Sequence, residues 1–554
     1  MKKFLLYTLL LIAGLMYGQT YEWSKTFTGG TGNIVYAIAT DNANNVYAAG
    51  RFNGSVDFDP TSPSGNATAA GGGDLFVVKY ASNGAYLWSF QVSNTWSEEA
   101  KSIAVDDEGS VYISGGFQTT TDFDPGPDTA NLISASSGTR GFIAKYDTNG
   151  NYLWAKALTS ISEARLFIVV TPQHEIYCTG TFGGTGDFDP GAGTYNLNGS
   201  NGNTFLGKYD ANGDFVWVKQ LGSNNGLEGN SIARDASGNL VVFGNFVNSS
   251  DFDPSAATAL LTSNGSYDTF LAKYDGDGNY LWAKNIGGAD ADISRKCLFD
   301  NASNIYITGY FQGSTDFDPG SGTAVLTANA VIDIYLGKYD ASGNYLWAIG
   351  MGANDDDVGY GLATDNASNV YLSGTYQYDV DFDPGTGISL LEGGNNSNTF
   401  LAKYDSSGNY KWAYDISCTN NSAGYGLEID DSGSIVMGGY YSSSADFDFG
   451  NATANASSAG GFLAKYSSAL LGVTQNDWAS FAFYPNPTHD YVELSLAENT
   501  PAKISITGVD GKMVKSQALS GQNSRIDLRQ LQAGIYLLNL EQQGKTQTKK
   551  FIKK

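Results

Sequence analysis

The sequence predicts an all-β fold: a closed seven-bladed β-propeller of four-stranded blades, followed by a small β-sandwich. Three observations predict it. The tetrapeptide Asp-Phe-Asp-Pro begins at Asp57, Asp122, Asp187, Asp251, Asp316 and Asp381, with an altered copy at Asp446, at intervals of 65, 65, 64, 65, 65 and 65 residues. A fixed period of this kind marks a repeat architecture. Gly (69), Tyr (35) and Phe (29) abound while charged residues make up only 16%, a composition of many strands and turns rather than amphipathic helices. The third observation is the phase of the chain ends. Trp-bearing fourth strands occur at Trp23, Trp88, Trp154, Trp217, Trp282, Trp347 and Trp412, and Lys-bearing third strands at Lys79, Lys145, Lys208, Lys273, Lys338, Lys403 and Lys465. The repeats therefore start on a fourth strand and end on a third. Pairing these two ends completes the seventh blade and removes two exposed edges.

Taken in chain order, residues 1–18 read as a signal peptide. Lys2 and Lys3 are its basic start, Phe4 to Met16 its apolar stretch, and Gly18 a small residue at the expected cut. The apolar stretch is shorter than the roughly 20 residues of a membrane span, so no transmembrane segment is expected in the mature chain. Residues 19–466 carry the blades. The second strand is of the type Val111-Tyr112-Ile113-Ser114-Gly115, the third Phe142-Ile143-Ala144-Lys145-Tyr146 and the fourth Tyr152-Leu153-Trp154-Ala155-Lys156. Turns such as Asp235-Ala236-Ser237-Gly238-Asn239 and Asp340-Ala341-Ser342-Gly343-Asn344 join them. The leading Asp accepts backbone hydrogen bonds from residues further on, and Gly or Asn supplies the left-handed position. Residues 467–479 form a linker. Residues 480–554 change composition and hold six or seven short strand-like runs, which suits a small β-sandwich.

Composition also excludes functions. A net charge of −25 argues against nucleic acid, whose phosphates need clustered Lys and Arg. Three dispersed cysteines, Cys178, Cys297 and Cys418, make no disulfide framework. His174 and His489 are the only histidines, so no His-based triad or zinc cluster can be assembled and no enzyme is expected. His174 stands at a turn position that other repeats fill with Gly109, Gly238 and Gly433, where positive φ is expected.

Two sets of residues are candidate sites. The paired carboxylates Asp57 and Asp59, Asp122 and Asp124, Asp187 and Asp189, Asp251 and Asp253, Asp316 and Asp318, and Asp381 and Asp383 offer hard oxygen ligands for Ca2+. Their recurrence in nearly every repeat favours an architectural role, with Asp capping a turn, Phe packing between blades and Pro fixing the exit. A second set precedes the first strands: Glu98, Glu163, Glu228, Asp292 and Asp357, with Trp96 beside them. There an arc of carboxylates is expected at the propeller mouth, either as an acidic solvated rim or as a site for cations or a basic partner.

Residues 21–466 resemble the bacterial seven-bladed propeller repeat family called SBBP, through the Phe400 to Asp405 and Gly278 to Trp282 runs and their copies. The resemblance implies the fold and no defined activity. The C-terminal segment resembles the type A sorting domain of the Bacteroidetes type IX secretion system. Carrying that resemblance are Phe483-Tyr484-Pro485-Asn486-Pro487, Asp510-Gly511-Lys512, the Leu531 to Tyr536 run with Gly534 and Tyr536, and the basic tail with Lys549 and Lys550. It implies periplasmic export, translocation by the type IX machinery as partner, and an extracellular or cell-surface location.

The expected function is a non-catalytic binding or scaffold module for a glycan, protein or matrix ligand. Two rival readings are a lyase or glycosidase using paired carboxylates at the mouth, and a calcium-stabilised structural surface protein.

Overall fold

The computed structural model describes residues 17–470, except 31, 63–64, 135–137, 223–225 and 450–452. It also describes residues 482–554, except 485–486, 497–501, 509–512, 520–522 and 543–544. The signal-peptide reading and most of the linker therefore lie outside the described residues. The chain separates into two compact units, one of them Gly18–Ala469 and the other containing the C-terminal segment. Among the described residues every regular element is a strand.

The repeats fold as successive antiparallel sheets, a propeller-like arrangement. Sheet 4 shows the pattern: Glu228–Arg234, Leu240–Phe246, Asp268–Tyr274 and Tyr280–Gly288 lie in sequence order. The predicted turns close as expected. Asp235 Oδ1 accepts the Asn239 amide at 2.8 Å, Gly238 takes φ +90°, and Asp340 Oδ1 accepts the amides of Ser342 and Asn344 at 2.8 and 2.9 Å. His174 takes φ 62° at its turn. Three departures separate the structure from the expected set of independent four-stranded sheets. Tyr280–Gly288 also pairs with Ser314–Asp316 of the next repeat, and Tyr410–Cys418 likewise pairs with Ala445–Asp446. The third is larger. Tyr152–Val170 runs unbroken for 19 residues from the fourth strand of sheet 2 into the first of sheet 3, joining the two. Its middle, Leu158 to Arg165, lacks the Gly and Asn residues that interrupt the chain at the same connection elsewhere, such as Gly222, Gly287 and Asn421.

Between second and third strands, each Asp-Phe-Asp-Pro copy turns a short hairpin, for example Ser249–Asp251 with Leu260–Thr262. Its Phe is buried: Phe252, at 0% exposure, lies 4.8 Å from Phe270 and 5.6 Å from Phe246. The Phe252 carbonyl accepts the Tyr274 hydroxyl at 2.9 Å, and Tyr80, Tyr146, Tyr209, Tyr339 and Tyr404 repeat that bond in their own sheets. Burying two aromatic rings per repeat supplies much of each local core.

Neighbouring sheets pack through their first strands. Ile34–Thr40 packs against Glu99–Val105, and the pattern continues to Ser422–Ile429, which packs against Ile34–Thr40. The N-terminal strand Tyr17–Thr28 is hydrogen-bonded to Gly460–Leu470, as fourth strand of the last sheet. A recurring contact links three of these sheets to the next. Trp88 Nε1 donates to the Thr148 carbonyl at 3.0 Å, Trp347 Nε1 to the Ser406 carbonyl at 3.1 Å, and Trp23 Nε1 to the Ser82 carbonyl at 3.0 Å. The third-strand lysines reinforce it. Lys465 lies 2.7 Å from the buried Asp430 carboxylate and also reaches the Ser82 carbonyl.

In the C-terminal unit, Ala482–Tyr484, Tyr491–Ser495 and Asn523–Asp527 form one sheet. Ala502–Gly508, Met513–Leu519, Gly534–Gln542 and Lys545–Lys553 form a second. Val492, Leu494, Ile504, Ile526, Leu538 and Phe551 build the core.

Candidate functional site

The predicted carboxylate arc does not stand in solvent. Glu98, Asp292 and Asp357 are 0%, 1% and 0% exposed, which corrects the expectation of an open acidic rim. Asp292 opens a first strand and Glu98 and Asp357 stand one residue before theirs, and each closes its connection with a hydrogen bond. Glu98 Oε2 accepts the Asn94 amide at 3.0 Å, Asp292 the Gly288 amide at 2.7 Å, and Asp357 the Ala353 amide at 2.7 Å. Burial pushes the Glu98 carboxyl up to about 8, and those of Asp292 and Asp357 up to about 7. Glu228 is half-buried and pairs with Arg165 at 3.2 Å. Glu163 lies within the long joined strand, and its side chain is outside the described residues. Trp96 is 55% exposed.

The Asp-Phe-Asp-Pro carboxylates serve their own hairpins. Asp251 Oδ1 accepts the amides of Asp253 at 3.1 Å and Ala259 at 2.8 Å, and Asp253 accepts Ser255 at 2.8 Å. Asp122 and Asp124, Asp187 and Asp189, Asp316 and Asp318, and Asp381 and Asp383 make the same bonds. In the first copy Asp57 accepts the Asp59 amide and Asp59 the Thr61 amide. Among the described residues, three potential metal ligands converge instead at Asp106, Asp107 and His174. There the Lys145 ammonium already lies 3.7 Å from the Asp106 carboxylate, and His174 Nδ1 lies 2.9 Å from it.

The chemistry gathers on the inner strands, at residues the sequence reading passed over. Six first strands carry a β-bulge at the same repeat position, and the residues left unpaired across the ladder are Tyr36, Lys101, Asn230, Arg295, Tyr360 and Tyr425. In sheet 3, Leu166 and Phe167 pair with Gly180 and Thr179 in succession, without that extra residue. A bulge bends the strand and re-aims the extra side chain. In four of the six strands it is flanked on both sides by Gly, Ala or Ser, as in Gly359-Tyr360-Gly361 and Gly424-Tyr425-Gly426.

These side chains touch one another from sheet to sheet. Lys101 Nζ lies 3.4 Å from the Tyr36 ring centroid and 3.1 Å from Glu99, which in turn faces Arg51 at 3.9 Å. The Tyr36 ring lies 5.7 Å from Tyr425, and Tyr425 meets Tyr360 edge-on at 4.7 Å and stacks with Tyr440 at 6.0 Å. Arg295 lies over both Tyr310 and Tyr360, at 5.3 and 5.5 Å. Arg165 donates to Glu228 and Asn230. All but the buried Asn230 are half-buried, so they combine partly desolvated faces with access to solvent. Burial raises the phenols, that of Tyr36 to about 12, which keeps them neutral hydrogen-bond donors. The result is a belt of aromatic rings and cations. Aligning the repeats at 65 residues would have exposed it, as one column of large, varied side chains among Gly, Ala and Ser.

A nucleophile is harder to find. Cys178 and Cys297 are buried with thiols pushed up by desolvation, Cys297 to about 11, and Cys418 is likewise raised to about 11. A separate cleft of about 560 Å³ lies between the N-terminal strand and the first hairpin, lined by Lys25, Phe27, Asp57, Phe58 and Tyr80. Among the described residues no helix is long and apolar enough to cross a membrane.

Of the predicted sorting residues, Pro485, Asn486 and Gly511 lie outside the described residues. Tyr484 is 56% exposed, and Pro487 is also exposed. Gly534 opens a strand, and Tyr536 stacks on Phe551 at 5.6 Å. The basic tail is itself a strand, with Lys549 and Lys550 opposite Leu538 and Leu537.

Three relatives frame these features. An uncharacterized WD repeat-containing protein L264 of Acanthamoeba polyphaga mimivirus is 28% identical over 516 residues, covering 77% of this chain and 37% of that protein. The chain thus spans well under half the length of this curated relative. The crystal structure of a protein of unknown function from Bacteroides caccae superposes with a TM-score of 0.28 at 9% identity, covering 61% of this chain and 89% of that one. PorZ, a surface component of the type IX secretion system of Porphyromonas gingivalis, superposes with a TM-score of 0.22 at 11% identity, covering 95% and 82%. Likeness this weak carries no argument about this chain. The C-terminal match is of another kind: residues 482–554 fit the family model described as a secretion system C-terminal sorting domain. Residues 482–554 are therefore a sorting domain of type IX secretion, and the chain is destined for the cell surface or the medium beyond it.

Proposed function

We propose that the repeats form a closed seven-bladed ring of the SBBP type, displayed outside the cell as a non-catalytic binding module. Closure is supported by the Trp23 and Lys465 contacts to Ser82, which join the last sheet to the first with the bonds used at other junctions. The observation that carries the binding role is the inner belt of Tyr36, Lys101, Arg295, Tyr360 and Tyr425, where aromatic faces and cations lie side by side. Half-buried rings beside hydrogen-bonding cations suit the apolar faces and hydroxyls of a glycan, or an aromatic and acidic protein segment. Varied residues on a uniform scaffold are also where specificity is expected.

A glycosidase would need two carboxyls about 5–10 Å apart in an open pocket. Burial of Glu98, Asp292 and Asp357 in separate connections favours binding over that chemistry. The test is binding of the mature protein to glycan and host-surface protein arrays, repeated with Arg295→Ala/Tyr360→Ala. The expected result is a defined set of ligands for the wild type and at least tenfold weaker binding by the variant. A silent wild type, or a variant that binds equally well, would refute the reading.

A further inference from the structure

Three of the connections between sheets enclose a pair of acids 24 residues apart: Asp74 with Glu98, Asp268 with Asp292, and Asp333 with Asp357. All six are at most 2% exposed. The backbone holds each pair together. The Glu98 amide donates to the Gly73 carbonyl at 2.9 Å, Asp292 to Tyr267 at 2.7 Å and Asp357 to Ile332 at 3.2 Å. Each first acid also accepts an amide four residues earlier: Asp74 from Ala70, Asp268 from Asn264 and Asp333 from Asn329. After these bonds Asp74 Oδ1, Glu98 Oε1, Asp268 Oδ1 and Asp333 Oδ1 remain buried without a hydrogen-bond partner, whereas Asp292 and Asp357 have both oxygens occupied, by Thr315 and Gly288 and by Gln377 and Ala353. Only the Asp74–Glu98 pair therefore keeps an unused oxygen on each acid.

The fold does not need charge at this place. At the next connection the Ser422 amide donates to the Ser397 carbonyl at 2.8 Å, and the Ser422 hydroxyl accepts the Thr399 amide at 2.9 Å, beside the neutral Asn398. Asn203 stands at the same position in sheet 3. The acidic connections therefore carry negative charge beyond what latching requires. The charges acting on them are more carboxylates: Asp74 on Glu98, Asp268 and Asp290 on Asp292, and Asp333 and Asp356 on Asp357. Buried carboxylates with unused oxygens call for a compensating cation.

We propose that the Asp74–Glu98 connection binds a divalent cation, with Ca2+ favoured by the all-oxygen donors, through the unused Asp74 Oδ1 and Glu98 Oε1. The ion would tie the end of one sheet to the start of the next, as a cross-link remote from the aromatic belt. This places the cation away from the Asp-Phe-Asp-Pro hairpins, whose carboxylates already accept backbone amides.

The test uses the mature protein, chelator-stripped and then titrated with CaCl2, with bound metal measured by mass spectrometry and melting followed in parallel. One Ca2+ per protein and a higher melting temperature are expected. Asp74→Asn/Glu98→Gln should lose the ion and the calcium-induced shift, while still folding, because the chain itself uses Asn at 203 and 398 in the place of Asp74. Absence of bound calcium in the wild type would overturn the proposal, as would undiminished binding by the variant. So would melting that follows pH identically in chelator and in calcium, since protons would then be neutralising the pair.

Discussion

The hairpin at the edge of each sheet and the inner strand of the same sheet obey opposite rules. Around the hairpins the chain repeats itself almost residue for residue: a turn-capping Asp, a buried Phe, and a Tyr hydroxyl on the Phe carbonyl. Along the inner strands the frame is equally regular, with a bulge in six of seven sheets, but the residue it presents changes from Tyr to Lys, Asn and Arg. Sameness across repeats follows from a shared packing problem. Variation at a fixed backbone position is free to serve recognition, because no common core depends on it.

That contrast can be broken most forcefully at the hairpin. Phe252→Ala removes a fully buried ring between Phe246 and Phe270 and should cost about 3–5 kcal/mol in denaturant unfolding. A loss below about 1 kcal/mol would remove the hairpin from the architecture.

The buried acids predict a smaller, pH-dependent effect. Their carboxyls are raised in the fold, Glu98 to about 8, Asp292 and Asp357 to about 7 and Asp333 to about 6, against ordinary values near 4. Protonation therefore favours the folded state. This contribution is complete below about pH 4 and disappears as pH rises through about 8, where buried charge must be tolerated. In chelator the protein should accordingly melt lower at pH 8.5 than at pH 5, by a difference on the order of a few kcal/mol. A flat profile would mean that these carboxylates are solvated.

Tyr274→Phe should cost about 1 kcal/mol by leaving the buried Phe252 carbonyl without its donor, which sharpens the assignment of that bond. Smallest of all, Tyr360→Ala should alter stability by less than the Phe252 change by several-fold, because the ring is half-buried and outside the hairpin core. A loss as large as that of Phe252 would make the belt part of the packing and deprive it of freedom for recognition.

Much of this was legible in the sequence for identifiable reasons. The 65-residue period, the Asp-initiated turns and the Lys-bearing and Trp-bearing strands are local signals, and each matches an element of the structure. His174 takes positive φ as its turn position required. What escaped was direction and depth. Glu98, Asp292 and Asp357 read as solvent-facing because they are acidic and lie in connections, yet whether a connection tucks under a neighbouring sheet depends on contacts far away in sequence. Tyr36, Arg295 and Tyr360 looked like ordinary strand residues. Only the bulge, a feature of pairing between strands, distinguishes them from their neighbours. The joining of sheets 2 and 3 reflects missing turn residues between Leu158 and Arg165, an absence that is harder to notice than a motif.

The belt, through its Tyr36–Tyr425 contact, requires that the first and last sheets be adjacent. The Asp431 amide donates to Asn44 Oδ1 at 3.0 Å, so side chains at these two positions come within reach of each other despite lying 387 residues apart. The direct measurement is therefore Asn44→Cys/Asp431→Cys treated with a short thiol cross-linker at high dilution and read by peptide mass spectrometry. Closure predicts a high yield of the intramolecular 44–431 link in folded protein and its loss on unfolding. A folded protein giving only unlinked or intermolecular products would contradict the ring.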